Sequence, residues 1–298
     1  MMNRREFNQS IGWLSLASLL PLGACTASSN SRYKMGLQLF SVNEDMKRDP
    51  EGTLKAVKAM GYEDFEIYGF DPDKLTYYGI PAREFKKMLD DMGLSVTSGH
   101  YGFSDLLNGP ETTLEGYVES CIIGAEALNS PYITWPWVNE ADRTIEGYKR
   151  LAACLNRVGR QVTDAGLAFA YHNHGYEWED LGHTNGYEII LAETDPDLVK
   201  LQMDMYWVMW AGRTTPKELV QRQPGRFVMW HIKDMHKVSR DYTELGNGSI
   251  DYHDILPDPE ASGLEYFYIE QGGNFTNSPL ESAGSSAAYF QSELQQHF

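Results

Sequence analysis

Gln161-Val162-Thr163-Asp164-Ala165-Gly166-Leu167-Ala168-Phe169-Ala170-Tyr171-His172-Asn173-His174 is the stretch on which the fold turns. It holds the end of a long amphipathic segment (143–165), a glycine stop and an apolar run that ends in two histidines. Gly166 reads as the left-handed residue that closes a helix. Leu167–His174 reads as a strand, with Ala168, Ala170, His172 and His174 on one face, because side chains alternate with period two. Its polar residues gather at the carboxyl end.

Outward from it the same unit recurs in both directions. Strands are expected at 34–40, 64–68, 94–100, 132–135, 167–174, 199–204, 227–233 and 265–270. Helices are expected at 50–60, 81–92, 112–128, 143–165, 186–193, 215–222 and near 279–295. Eight strand-then-helix units spaced by about 25 to 40 residues predict parallel strands closing into a (β/α)8 TIM barrel. An open, doubly wound sheet is the competing architecture. The Gly-rich turn that such sheets use to cradle a dinucleotide is absent after the first strand, where Ser41-Val42-Asn43 stands instead.

Parity also sorts the polar residues of the later strands. Gln202 and Asp204 oppose Leu201 and Met203. Met229, His231 and Lys233 oppose Val228, Trp230 and Ile232, and Tyr266, Tyr268 and Glu270 share a face. Barrels of this kind keep their functional groups at the carboxyl ends of the strands. Glu177, Asp204, His231 and Glu270 are separated by 27, 27 and 39 residues, one unit each. Singly, each carboxylate reads as a helix cap or a surface group. Together, three carboxylates and an imidazole suit one divalent ion, Mn²⁺, Mg²⁺, Co²⁺ or Zn²⁺. Without a cation, such carboxylates would raise one another's pKa values.

These residues resemble the sugar phosphate isomerase/epimerase group of xylose-isomerase-like barrels, over roughly residues 34–280. The likeness rests on Gly36-Leu37-Gln38-Leu39-Phe40-Ser41-Val42, Tyr171-His172-Asn173-His174-Gly175-Tyr176-Glu177, Asp204-Met205-Tyr206-Trp207, His231-Ile232-Lys233-Asp234 and Gly246-Asn247-Gly248-Ser249-Ile250-Asp251. The resemblance implies a metal held by Glu, Asp, His and Glu, the last three falling on Asp204, His231 and Glu270. Many relatives have a glutamate where this chain has His172, so the fifth-strand ligand is either His172 or Glu177, with Glu177 preferred and His172 then contacting substrate. Gln38 and His100 are further expected substrate contacts. Glu177, Glu270, Lys233 and His174 are the expected catalytic residues. Trp135, Trp137, Tyr206, Trp207 and Trp210 are candidates for stacking on sugar faces.

The chemistry implied is abstraction of a proton from carbon next to the carbonyl of a keto-sugar, giving isomerisation or epimerisation. Loss of a β-substituent, as in a dehydratase or lyase acting on 3-keto-glycosides, is the alternative outcome of the same site. A non-catalytic sugar-binding lipoprotein is the alternative from another class.

The beginning of the chain reads as an address. Arg4-Arg5 precede an apolar run, 11–22, that is too short to span a bilayer, for which about 20 residues are needed. The pair resembles a twin-arginine export signal, and Leu22-Gly23-Ala24-Cys25 resembles the lipobox of bacterial lipoproteins, with lipid on Cys25. The expected division is a signal peptide 1–24, a tether 25–33 and a barrel 34–298, placed in the periplasm or on the cell envelope. The membrane is then met only through the lipid. Cys121 and Cys154 have no metal-type spacing and are expected to be buried thiols. The net charge of −17 disfavours nucleic acid as a partner. An exported enzyme points to neutral rather than phosphorylated sugars.

Overall fold

The computed structural model describes residues 32–298; the expected signal segment, Cys25 and the tether up to residue 31 lie outside the described residues. Eight parallel strands form the core: β1 Gly36–Gln38, β2 Asp64–Ile67, β3 Ser95–Gly99, β4 Tyr132–Trp135, β5 Ala168–His172, β6 Lys200–Asp204, β7 Met229–Ile232 and β8 Tyr266–Ile269. Their order is β3-β2-β1-β8-β7-β6-β5-β4. The ring closes between β3 and β4 through one bridge, His100 to Thr134, with Tyr101 N donating to Thr134 O at 3.1 Å. The expected (β/α)8 barrel is the fold, and the open sheet is excluded by this closure.

Each strand begins or ends a residue or two inside its expected range, except β4, which matches. At the mouth a side chain can take over the backbone's hydrogen bonds and end the ladder. Gln38, for example, accepts from Phe40 N and opens a 3₁₀ turn, Leu39–Val42. Two small antiparallel elements were not expected, 70–81 and 234–243. Both sit in loops after strand ends, and their two-residue strands are too short to carry a period.

Helices cover the outside of the ring. The helix Ile145–Asp164 begins at Thr144, whose hydroxyl accepts from Gly147 N, and it is followed by Gly166 at φ +84°. Its apolar face, with Leu151, Leu155, Val158 and Val162, packs on the outward side chains of the strands, such as Phe169 and Tyr171. Most of the apolar core lies in this layer between ring and helices.

The inside of the ring is narrower and partly polar. Tyr132, Ala170, Met229 and Tyr268 pack there, next to Asp64, which bonds the Ser95 and Thr97 hydroxyls. Burial pushes the Asp64 carboxyl up to about 6, the two hydroxyls partly opposing it. Cys121 and Cys154 are buried free thiols, as expected. Among the described residues no helix is long and apolar enough to cross a membrane.

Candidate active site

Each strand of the second half of the barrel sends its last inward side chain toward one point. Asp204, His231 and Glu270 offer oxygen and nitrogen atoms that all lie within 4.8 Å of one another, and all three residues are buried. His231 Nδ1 is 2.6 Å from Glu270 Oε2. Lys233 reaches the same point from just beyond β7, with Nζ 2.7 Å from Asp204 Oδ2 and 2.6 Å from Glu270 Oε2. His172, the last residue of β5, places Nε2 3.5 Å from Asp204 Oδ2.

The charges are arranged to balance. Burial alone would lower His231, but Glu66 and Glu270 on either side raise it to about 9, so the metal-free ring is an imidazolium. Burial works against the Lys233 ammonium too, and Asp204 and Glu270 more than offset it, holding its pKa above the usual range. Burial would raise Glu270; Lys233 and His231 instead hold it well below ordinary carboxylates. Asp204 remains raised because burial outweighs Lys233 and His231. His172 and His174 are kept neutral, first by burial and then by the positive groups around them.

A cavity of about 310 Å³ opens above this cluster, with His100, His172, His174, Lys233 and Glu270 in its wall. Its rim carries exposed aromatic rings: Phe40 and Tyr68, 5.0 Å apart and edge to face, and Trp137 opposite. Trp137 is held by Arg143, whose guanidinium lies 5.2 Å from that ring and 3.6 Å from Tyr176. Gly175 lets Trp207 and Trp210 close over the loop after β5, since a Cβ there would meet Trp210 at 2.6 Å. A wider groove of about 720 Å³ runs between the helices Glu111–Leu128 and Ile145–Asp164. Its wall mixes Arg157, Arg160 and Glu111 with Leu114, Val158 and Leu198 on the outside of the barrel, away from the strand ends where the acid–base groups converge.

The structure does not bring Glu177 to the cluster. Three residues past His174 the chain turns into a short 3₁₀ segment, Tyr176–Trp178. There the Glu177 carboxylate swings behind β5, accepting from Tyr171 OH at 2.6 Å and His174 N at 2.9 Å. It is fully buried in the outer layer, where burial raises it to about 7. His172 stands at the strand position instead. Gln38 is also removed from the cavity wall: it is buried, and its amide donates to Glu66 at 2.6 Å.

Glu66 is the residue that sequence reasoning missed. It lies at the floor of the site, fully buried, with Oε2 2.6 Å from His231 Nε2 and 3.0 Å from His100 Nε2. Burial would raise it, but His100 and His231 hold it well below the usual range. The alternation Asp64, Glu66, Tyr68 carried the signal, a second carboxylate at a strand end with inward parity.

The donor set accommodates a divalent cation. Asp204 Oδ2 is buried and has no hydrogen-bond partner apart from the Lys233 ammonium. His231 and Glu270 converge with Asp204, and His172 Nε2 stands 3.5 Å from its Oδ2, so that two imidazoles and two carboxylates without a thiolate are within reach, a set suited to Mn²⁺, Co²⁺ or Zn²⁺. A second grouping, His100, His172 and His231, is less suited, because each of its rings already commits one nitrogen to Gln202 or Glu66.

Sequence comparison fits this geometry: the profile of the xylose isomerase-like TIM barrels matches residues 54–283. The chain belongs to that family. It is 27% identical over 164 residues to an inosose dehydratase of Clostridium botulinum, covering 48% of this chain and 54% of that protein. The chain thus matches about half the length of that relative. Among solved structures, a sugar phosphate isomerase/epimerase from Parabacteroides distasonis superposes with a TM-score of 0.79 at 26% identity, covering 93% of this chain and 99% of that one. The IOLI protein, solved with a bound zinc atom, shares the fold with a TM-score of 0.68 at 15% identity, over 89% and 99% of the two chains.

Proposed function

We propose that this chain is a metal-dependent isomerase or epimerase that moves a proton on carbon next to the carbonyl of a keto-sugar or sugar derivative. The observation that carries the reading is the convergence of Asp204, His231 and Glu270 at the floor of a cavity walled by His174 and Lys233. His172, Asp204, His231 and Glu270 would hold the ion. When bound, a divalent cation acts as a Lewis acid toward a carbonyl and its neighbouring hydroxyl.

The chain's own groups divide the remaining work. Glu270, ionised and in the cavity wall, is the carboxylate placed to take the proton. The Lys233 ammonium, aimed at the same point, steadies negative charge as it develops on oxygen. Neutral His174, also in the wall, can accept a proton or return one from another direction. Phe40, Tyr68 and Trp137 offer ring faces at the rim, suited to the C–H faces of a sugar.

A second reading, β-elimination of water or of a glycosidic oxygen, is favoured by the likeness to inosose dehydratases. Proton removal is common to both, so solvent exchange tests the shared step. Mn²⁺-loaded protein is incubated in D₂O with ketoses, inososes and 3-keto-glycosides, and exchange is followed by proton NMR. Exchange that disappears in Asp204→Ala is expected. Absence of exchange into every compound would overturn the proposal. A product with a shifted carbonyl marks the isomerase, and an enone or a released alcohol marks the lyase.

The Arg-Arg, apolar and lipobox pattern of residues 4–25 supports a site of action on the cell envelope. It favours neutral sugars, as does the cavity wall, whose one ammonium is already paired with two carboxylates.

A further inference from the structure

The floor beneath the cluster is a continuous chain of hydrogen bonds whose proton directions can be worked out. Glu66 Oε1 accepts from Ser98 Oγ and from Gln202 Nε2, both at 2.6 Å. Because the Gln202 amide nitrogen points at Glu66, its carbonyl oxygen points the other way. There it meets His172 Nδ1 at 2.9 Å and His100 Nε2 at 2.7 Å. A carbonyl oxygen can only accept. His172 therefore carries a proton on Nδ1, and Nε2 is the nitrogen it turns toward Asp204. On the other side, Glu66 Oε2 accepts from Gln38 Nε2 and faces His231 Nε2, both at 2.6 Å. That contact holds a proton on His231 Nε2, so Nδ1 is the nitrogen left to face Glu270 and the cluster.

We infer that Glu66 is a positioning residue which, directly and through Gln202, takes the N–H of His231 Nε2 and of His172 Nδ1 by hydrogen bonds, so that His172 would bind a metal through Nε2 and His231 through Nδ1. The inference rests on the metal-site reading above and extends it to residues that touch neither ion nor substrate. Ligating histidines generally give their other N–H to such a partner, whose loss costs 10–100-fold in affinity. Here one carboxylate serves two ligands on strands that are not neighbours.

An amide cannot do the same work in the same space. In Glu66→Gln, one of the two terminal atoms becomes an NH₂ donor. Placed at Oε1, it confronts the Gln202 NH₂, which must flip and present a donor to His172 Nδ1. Placed at Oε2, it confronts Gln38 and His231 Nε2. Either way one histidine loses its direction. In the exchange variant Glu66→Gln/Gln202→Glu, every contact regains a donor facing an acceptor, with the negative charge moved one residue along.

The test is zinc affinity by competition with a chromophoric chelator, together with ¹⁵N NMR of the histidine rings in the Zn²⁺-loaded protein. Expected are a 10–100-fold weaker affinity in Glu66→Gln, recovery to within about fivefold in the exchange variant, and a wild-type spectrum with N–H on Nε2 of His231 and on Nδ1 of His172. Wild-type affinity in Glu66→Gln, no recovery in the exchange variant, or either wild-type proton on the opposite nitrogen would overturn it. The wild-type spectrum decides even if the variants do not fold. A wild type that takes up no divalent ion would overturn the metal reading and this inference with it, whereas failure of the variants alone leaves the metal reading standing.

Discussion

Replacing Lys233 with methionine should destabilise the metal-free protein and, at the same time, increase what a divalent cation restores. Lys233 Nζ lies 2.7 Å from Asp204 and 2.6 Å from Glu270 and is nearly inaccessible. At an effective dielectric of about 20, each contact amounts to roughly 6 kcal/mol of attraction. Desolvation of the three ions takes back several kcal/mol apiece. What remains visible on removing one partner is the cost of stranding the others, about 3–5 kcal/mol. At about 2 °C per kcal/mol for a domain near 250 residues, Tm in EDTA should fall by about 6–10 °C. The loss should be smaller at pH 5 than at pH 8, because the stranded carboxylates can then protonate. Adding Mn²⁺ should raise the variant's Tm by more than the wild type's, since no ammonium competes for Asp204 and Glu270. Thermal melts at both pH values, with EDTA and with Mn²⁺, measure all of this. An unchanged Tm in EDTA, or equal Mn²⁺ shifts in the two proteins, would refute the account of Lys233 as the resident counter-charge.

Glu177→Gln should leave Zn²⁺ affinity unaltered, because its carboxylate sits behind β5, and chelator competition will show it. Since burial raises Glu177 to about 7, its contribution to stability is full below its unfolded pKa and is lost as pH rises through 7. The variant should gain about 2–3 kcal/mol on the wild type between pH 5 and 8 in urea titrations. Trp230→Ala removes a fully buried indole whose Nε1 donates to Ser262 Oγ at 2.9 Å, and equilibrium unfolding should show a loss of about 3–5 kcal/mol. Thr215→Ala breaks a capping box with Glu218 on the outer helix Pro216–Arg222; a loss of about 1 kcal/mol with unaltered solvent exchange is expected.

The barrel could be read from the chain because its signal is redundant. Eight apolar runs, seven of them followed by a legible helix and several punctuated by Gly61, Gly93 or Gly166, agree with one another, and an error of two residues at any end does no harm. The inward parity of Asp204, His231 and Glu270 was legible for the same reason, since β6 and β7 keep their alternation and the pairing of β8 runs on to Glu270, whose N–H donates to Ile232 O. Glu177 lay beyond that regular region. Once the chain leaves β5, period two no longer says where a side chain points, and Tyr171 on the outer face captured the carboxylate. Glu66 was hidden differently, as a strand acid with inward parity but without the unit spacing that drew attention to the later four. Its role depends on partners from β1, β3, β6 and β7, and contacts so distant in sequence leave no local pattern.

The single bridge that seals the ring between β3 and β4 gives the barrel an unequal compliance. Seven of its joints are paired ladders, and the eighth is a stitch at His100 and Thr134. Excursions that open the ring will concentrate at this seam, where the least backbone pairing must be given up. His100 also reaches across the interior to Gln202 and Glu66, so whatever grips its ring from the cavity tightens the stitch from within. Occupancy of the site should accordingly be felt as slower amide exchange at Tyr101, on the lip of the seam, making that amide a reporter of a bound ligand.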